Sequence, residues 1–163
     1  METSDEYFLR QALAEANAAR DSGEVPVGAV IVSNGTIVGR GRNSVIKLND
    51  PTAHAEILAL RDAARSLHNY RLTDCEMYST IEPCAMCAGA IVHARIQRLI
   101  YGARDDKAGA VDSHFSLCTS DILNHRVLVQ GGVLEDECRA VIQSFFRERR
   151  AIADHETERC ESG

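Results

Sequence analysis

The chain has 163 residues, 45% hydrophobic and 26% charged, which fits one globular domain able to bury a core and excludes a disordered polymer. Its formal net charge of −6 argues against a non-specific nucleic-acid binder, because phosphate neutralisation drives such binding, although a local basic patch stays compatible. Met1 to Glu6 is acidic rather than a secretory leader, and no apolar run approaches a bilayer crossing, so neither export nor a membrane partner is expected.

Thr3-x-x-Glu6 reads as a capping box that opens a first helix, with Phe8, Leu9, Ala12, Leu13, Ala16 and Ala19 at helical spacing and Gly23 as its stop. Val27 to Val32, then Asn34-Gly35, then Thr36 to Val38 reads as a β-hairpin. Asp50-Pro51-Thr52 breaks the chain; with Thr52 as N-cap, Ala53 to Leu67 reads as a helix. A strand over Glu76 to Ile81 is followed by Glu82-Pro83, which opens a helix running through Ala85 to Ala94. Ile96 to Tyr101 reads as a strand, Gly102 to Ser113 as loop and Ser116 to Leu123 as a short helix. Arg126 to Gln130 reads as a strand, Gly131-Gly132 as a turn and Glu135 to about Ala153 as a last amphipathic helix. Strands alternating with helices imply an α/β sheet covered on both faces. Residues 1–153 form the expected domain. Residues 154–163, with Asp154, Glu156, Glu158 and Glu161 against Arg159 alone, form an acidic tail for which disorder is one reading.

Of the six cysteines, only Cys84 and Cys87 are close in sequence. In the reducing cytoplasm expected without an export signal, a close pair means metal or redox chemistry rather than a disulfide framework. Three apart at a helix start, the two thiols share a face, and the helix N-terminus favours the thiolates that bind metal. His54, at the start of the preceding helix, offers a third, neutral ligand. Three protein ligands leave one position open, as in a catalytic zinc site, where a water's pKa falls to about 7. Glu56 lies two residues on, placed to move protons rather than to bind the ion.

Other readings stay open on these residues. The cysteine pair by itself could be redox-active, and Cys75 or Cys118 could close a structural zinc site as a fourth ligand. His68, His93, His114, His125 and His155 read as satisfied or solvent-facing, Met86 as packing, and the remaining thiols as buried or incidental.

His54-Ala55-Glu56 followed by Pro83-Cys84-Ala85-Met86-Cys87 resembles the signature of the zinc-dependent nucleobase deaminases. The resemblance narrows over residues 7–150 to the bacterial tRNA-specific adenosine deaminases. It is carried by Pro26-Val27-Gly28-Ala29-Val30, Asn49-Asp50-Pro51-Thr52, Asn69-Tyr70-Arg71-Leu72, Cys87-Ala88-Gly89-Ala90-Ile91, Tyr101-Gly102-Ala103-Arg104-Asp105, Asn124-His125-Arg126 and Phe145-Phe146-Arg147.

The resemblance implies a three-layer α/β/α sandwich around a mixed five-stranded sheet, of the cytidine-deaminase type. It implies one Zn²⁺ per subunit, a cytoplasmic homodimer with the site near its interface, and conversion of a tRNA wobble adenosine to inosine. Asn43 and the backbone N–H of Ala55 would face the base. Arg104, Asp105 and Lys107 in the loop, and Phe145, Arg147, Arg149 and Arg150 on the last helix, would meet the anticodon stem-loop. By themselves Asn43 reads equally as a turn-former, the arginines as a solvated face, and at least one of Phe145 and Phe146 as core. The acidic end departs from the lysine-rich tail frequent in that family, and residues 112–123 depart from its pattern. Deamination of a free base or nucleoside such as guanine or cytosine is the alternative. A non-catalytic zinc-bearing RNA-binding subunit would be expected only without Glu56.

Overall fold

The capping box at Thr3 forms: the Glu6 N–H donates to Thr3 Oγ1 at 3.2 Å, and the Thr3 N–H donates to Glu6 Oε2 at 2.8 Å. It starts α1, Ser4–Asp21, which buries Leu9, Ala12, Leu13, Ala16 and Ala19 along one stripe. The computed structural model describes residues 1–161. The chain then enters β1, Gly28–Ser33, and returns as β2, Thr36–Arg42. Asn34 and Gly35 between them have φ of 49° and 74°, the two positive values that a two-residue type I′ turn needs.

After β2 come α2, Val45–Leu48; α3, Ala55–Leu67; β3, Cys75–Ile81; α4, Ala85–His93; and β4, Arg98–Ala103. A 3₁₀ turn at Leu117–Thr119, β5 at Leu128–Gln130 and α5 at Glu135–Glu161 complete the described chain. The sheet order is β2-β1-β3-β4-β5, antiparallel through β1 and parallel from β3 to β5, so the sheet is mixed.

Alternation along the strands sorts the two faces. Ala29, Ile31, Met77, Leu99 and Tyr101 point to the side covered by α3 and α4. Val30, Val32, Tyr78 and Ile100 point to the side of Leu9, Leu13 and Cys138, contributed by α1 and α5. The result is a three-layer α/β/α sandwich. Helices approach unusually closely where strand glycines face them. A Cβ on Gly41 would stand 2.1 Å from the Ala55 carbonyl oxygen, and one on Gly39 would stand 2.7 Å from the Ala63 nitrogen. Only hydrogen fits there, and this contact sets the height of the α3 N-terminus above the sheet.

Several boundaries move for identifiable reasons. Thr52 is not the N-cap of α3: its N–H and hydroxyl both donate to Asp50 Oδ1, at 2.8 and 2.7 Å, and His54 takes the cap position. The short α2 carries no local cap signal, because Glu24 Oε1, 22 and 23 residues away, accepts from the N–H groups of Ile46 and Lys47 at 2.9 Å each. β4 begins at Arg98 rather than Ile96, since Ile96 is buried before the ladder starts, below Arg95 in the left-handed region at φ 64°. The helix expected over Ser116 to Leu123 reduces to the 3₁₀ turn, which buries Cys118 and leaves Ile122 exposed. β5 spans only Leu128–Gln130. Helix α5 continues past Ala153, so the acidic segment is helical to Glu161, with residues 151–161 exposed. No helix among the described residues is long and apolar enough to cross a membrane.

Candidate metal centre

The first turns of α3 and α4 converge on one side of the sheet. His54 caps α3, Cys84 caps α4, and Cys87 lies in the first turn of α4 with its side chain fully buried. His54 Nδ1 is 3.6 Å from Cys84 Sγ and 3.5 Å from Cys87 Sγ, and one atom from each residue falls within 4.8 Å of the others. A sulfur at about 2.3 Å and a nitrogen at about 2.0 Å on tetrahedral directions from one zinc ion stand about 3.5 Å apart. The donor set therefore fits zinc in both chemistry and spacing.

The electrostatics agree. The Cys87 thiol donates to Cys84 and pulls its pKa down to about 4, against the opposing effect of burial; His54 adds to the pull. The same hydrogen bond, with burial and the Glu56 charge, pushes Cys87 up. His54 is raised by its contact with Cys84, against burial, with a contribution from Glu56. A cluster that so favours positive charge is suited to a divalent cation, which would replace the proton Cys87 retains.

Glu56 is 2% exposed, and its Oε1 has no hydrogen-bond partner within the chain. Burial raises its pKa, with the Cys87 thiol and His54 pulling the other way. Asn43 Oδ1 is likewise buried without a partner. Both residues line a cavity of about 820 Å³, together with His54, Ala55 and Cys84. Two orphaned acceptors beside a three-ligand centre mark where a polar ligand belongs.

One wall of the cavity is the segment Arg104 to Ala108, which includes Arg104, Asp105 and Lys107. The Asp105 carboxylate is turned inward: Oδ1 accepts from the N–H groups of Lys107 and Ala108 at 3.0 and 3.1 Å, bracing the loop. Another wall is formed by α5, through residues other than those the resemblance assigns to the stem-loop. Arg139, Ile142, Gln143 and Phe146 line the cavity, whereas Phe145, Arg147, Arg149 and Arg150 do not. Phe145 is 7% exposed, with the Arg149 guanidinium 5.0 Å above its ring, and Arg149 Nη2 donates to the Gly23 carbonyl at 2.7 Å. Arg147 and Arg150 are exposed. The spacing 139, 142, 143, 146 is one helical stripe, so the missed residues were readable once the phase of α5 was known. Val25, Val27 and Val45 give the cavity its apolar floor and had no signal beyond hydrophobicity.

The alternatives left open for the thiols narrow. Among the described residues, no fourth His, Cys, Asp or Glu joins the cluster; Cys75 and Cys118 are buried elsewhere in the core. Of the other histidines, His125 Nε2 and His114 Nε2 bond to the carbonyls of Ile96 and Asp106, at 2.7 and 2.5 Å, and His68, His93 and His155 are exposed.

Residues 2–103 match the zinc-binding region of the cytidine and deoxycytidylate deaminase family. A tRNA-specific adenosine deaminase of Haemophilus influenzae is 49% identical over 147 residues, covering 90% of this chain and 85% of the relative. A chain solved in a study of A-to-I editing by tRNA:A34 deaminases at the wobble position superposes with a TM-score of 0.80 at 44% identity. That match covers 83% of this chain and 98% of the other. A guanine deaminase from Nitrosomonas europaea also superposes, with a TM-score of 0.71 over 86% of this chain and 83% of its own, but at 25% identity.

Proposed function

The chain belongs to the zinc-binding cytidine and deoxycytidylate deaminase family and, within it, to the tRNA-specific adenosine deaminases, and from that premise we propose how its residues deaminate the wobble adenosine of a tRNA anticodon. The observation that carries the reading is a three-ligand centre beside an unpartnered Glu56, opening into a cavity whose wall bears Arg104 and Lys107.

His54, Cys84 and Cys87 would hold one zinc ion per subunit. Bound there, zinc supplies Lewis acidity, which brings the pKa of a water at its open position to about 7. Glu56 would take one proton from the attacking water as oxygen adds to C6 of the adenine and deliver it to the ring nitrogen, where it stays; it would then pass the second proton, from the added hydroxyl, to the departing ammonia. Burial raises the Glu56 pKa, which favours its protonated form. Water enters, ammonia leaves, and the ring keeps the oxygen. Asn43 orients the purine through its orphaned amide. The N–H of Ala55, first residue of α3 and without an intrahelical acceptor, faces the base.

A base in an anticodon loop is single-stranded, so splaying it into the cavity costs little unstacking. Arg104 and Lys107 meet backbone phosphates, and Phe146, 45% exposed at the cavity wall, stacks on a flanking base. Arg147 and Arg150 add longer-range attraction from the outer face of α5, while Arg149 and Phe145 brace that helix. Phe146→Ala is expected to weaken anticodon stem-loop binding roughly 5- to 150-fold, the equivalent of one lost stacking contact of about 1–3 kcal/mol. Fluorescence anisotropy with a labelled stem-loop measures it, and unchanged affinity would remove Phe146 from the interface.

The same reading includes a cytoplasmic homodimer with 1–153 as the enzyme body. Gly89 supports the dimer. It sits within α4, where glycine disfavours helix by about 1 kcal/mol relative to alanine, yet a Cβ there would meet nothing in the chain. A second copy packed closely against α4 accounts for that glycine, and exposed Met86 and Tyr70 extend the apolar surface nearby. A solution mass of twice the chain, by light scattering, is the expected result.

The deciding assay offers an anticodon stem-loop containing the wobble adenosine, beside free adenosine, cytosine and guanine. Conversion of the wobble adenosine alone is expected; conversion of a free base alone would retain the metal centre and overturn the RNA assignment.

A further inference from the structure

Among the described residues the chemistry above leaves two fully buried carboxylates unused: Glu24, which caps α2, and Glu82. Glu82, 1% exposed, stands two residues before Cys84. Its oxygens accept five hydrogen bonds, all from the loop that follows β4. Oε1 accepts from the Asp105 N–H at 3.2 Å and the Ser113 hydroxyl at 2.5 Å. Oε2 accepts from the N–H groups of Val111, Asp112 and Ser113 at 3.2, 2.9 and 2.9 Å. Three successive amides aimed at one oxygen form an anion nest, and here the anion is the protein's own side chain. Two backbone bonds flank it: the Glu82 N–H donates to the Ala103 carbonyl at 2.8 Å, and the Ala110 N–H donates to the Pro83 carbonyl at 2.9 Å.

The fit leaves no room for a larger neighbour. A Cβ on Gly109 would stand 2.4 Å from Glu82 Cδ and 2.5 Å from the Asp105 carbonyl oxygen. A carboxylate held by five donors cannot yield as a free side-chain end would. Gly109 and Glu82 are therefore one device, which ties the loop to the turn bearing Cys84.

Resting on the deaminase reading, we propose that Glu82 is a positioning residue for RNA affinity: it fixes the 104–113 loop so that Arg104 and Lys107 stand at the cavity wall in register with the metal centre. Glu82 stands at the cavity wall but is 1% exposed, with both oxygens taken up by the loop, and it is outside the three-ligand set, so its effect passes through the loop. Glu82→Gln keeps the shape but replaces one acceptor by an NH₂ group facing N–H or O–H donors, leaving them unsatisfied.

The test compares the zinc-loaded wild type, Glu82→Gln and Gly109→Ala by metal content, amide hydrogen exchange, stem-loop affinity and single-turnover rate at saturating stem-loop. Glu82→Gln is expected to keep its zinc and to exchange the amides of Val111, Asp112 and Ser113 about tenfold or more faster. Its stem-loop affinity is expected to fall about fivefold or more, with a shallower dependence on salt. Its single-turnover rate should stay within about twofold. Gly109→Ala, with Glu82 intact, should reproduce the affinity loss. Unchanged exchange and affinity in Glu82→Gln overturn the proposal, as does a loss confined to turnover or accompanied by loss of zinc. If the wild type converts no stem-loop adenosine, the deaminase reading fails by itself; exchange and anisotropy still decide whether Glu82 fixes the loop and whether the loop binds RNA.

Discussion

Glu56→Ala is expected to retain a full complement of zinc and to lower the rate of wobble-adenosine conversion by about 10⁴-fold, equivalent to about 5 kcal/mol of transition-state stabilisation. The ligand set explains the first half. His54, Cys84 and Cys87 lie within binding distance of one another without Glu56, whose carboxylate is packed beside them as an unpartnered acceptor. The size of the loss follows from the number of transfers assigned to one group. In this reading the proton leaving water, the proton reaching the ring nitrogen and the proton leaving with ammonia would all pass through the same carboxyl, and among the described residues Glu56 is the one cavity-lining carboxylate with a buried oxygen that lacks a partner. Truncating Glu56 removes the desolvation cost of a buried carboxyl as well as its packing, so any change in melting temperature is separate from the loss of turnover. Metal analysis and quenched single-turnover kinetics check the prediction together. Loss of zinc in this variant would make Glu56 a ligand and sink its assignment as the proton carrier.

Cys87→Ala is expected to bind less than about a tenth of an equivalent of zinc, to lose turnover below detection and to melt at a lower temperature than the metal-loaded wild type. Two ligands cannot hold the ion against water as three do. At a free zinc concentration about a thousandfold above its dissociation constant, binding stabilises the folded state by about 4 kcal/mol, and that contribution disappears with the site. Cys87 is also fully buried, so its truncation removes packing at the first turn of α4. Cys84→Ala should lose the same metal but less intrinsic stability, because Cys84 is only half-buried at the cavity wall. The comparison of the two variants after chelation separates the effects: the metal-free wild type and Cys84→Ala should melt close together, with Cys87→Ala below both. Full zinc in either cysteine variant would refute the ligand set.

The two halves of the centre were readable from local pattern because each is a local object. His54 and Glu56 sit two apart at one helix start, Cys84 and Cys87 three apart at another, and helix geometry alone fixes what each pair can do. The capping box at Thr3 and the Asn34-Gly35 turn were legible for the same reason: the residues that make the interaction are neighbours in sequence.

The cavity wall contributed by α5 and the 104–108 segment was less legible. Phe145 and Phe146 are adjacent, and sequence cannot say which ring turns to the core; the docking of α5 on the sheet chose Phe146 for the cavity and placed Phe145 beneath Arg149. Asp105, read as a contact residue, also braces its own loop through bonds to Lys107 and Ala108. Helix α2 carried no local signal, because what caps it is Glu24, brought there by the chain's path through β1 and β2.

The sequence by itself determined the local pattern: the candidate ligand types, their pairing on two helix starts, the carboxyl beside them and the alternation of strands and helices. Each depends on spacings of a few residues, over which backbone geometry leaves little choice. The tertiary structure decided what lies across space: that His54 meets the cysteine pair at 3.5–3.6 Å, that Glu82 gathers the 104–113 loop, and which stripe of α5 closes the cavity. Those contacts join residues about 30 or more positions apart. They exist only because buried strand faces, and glycines with no room for a side chain, fix how closely each helix lies against the sheet.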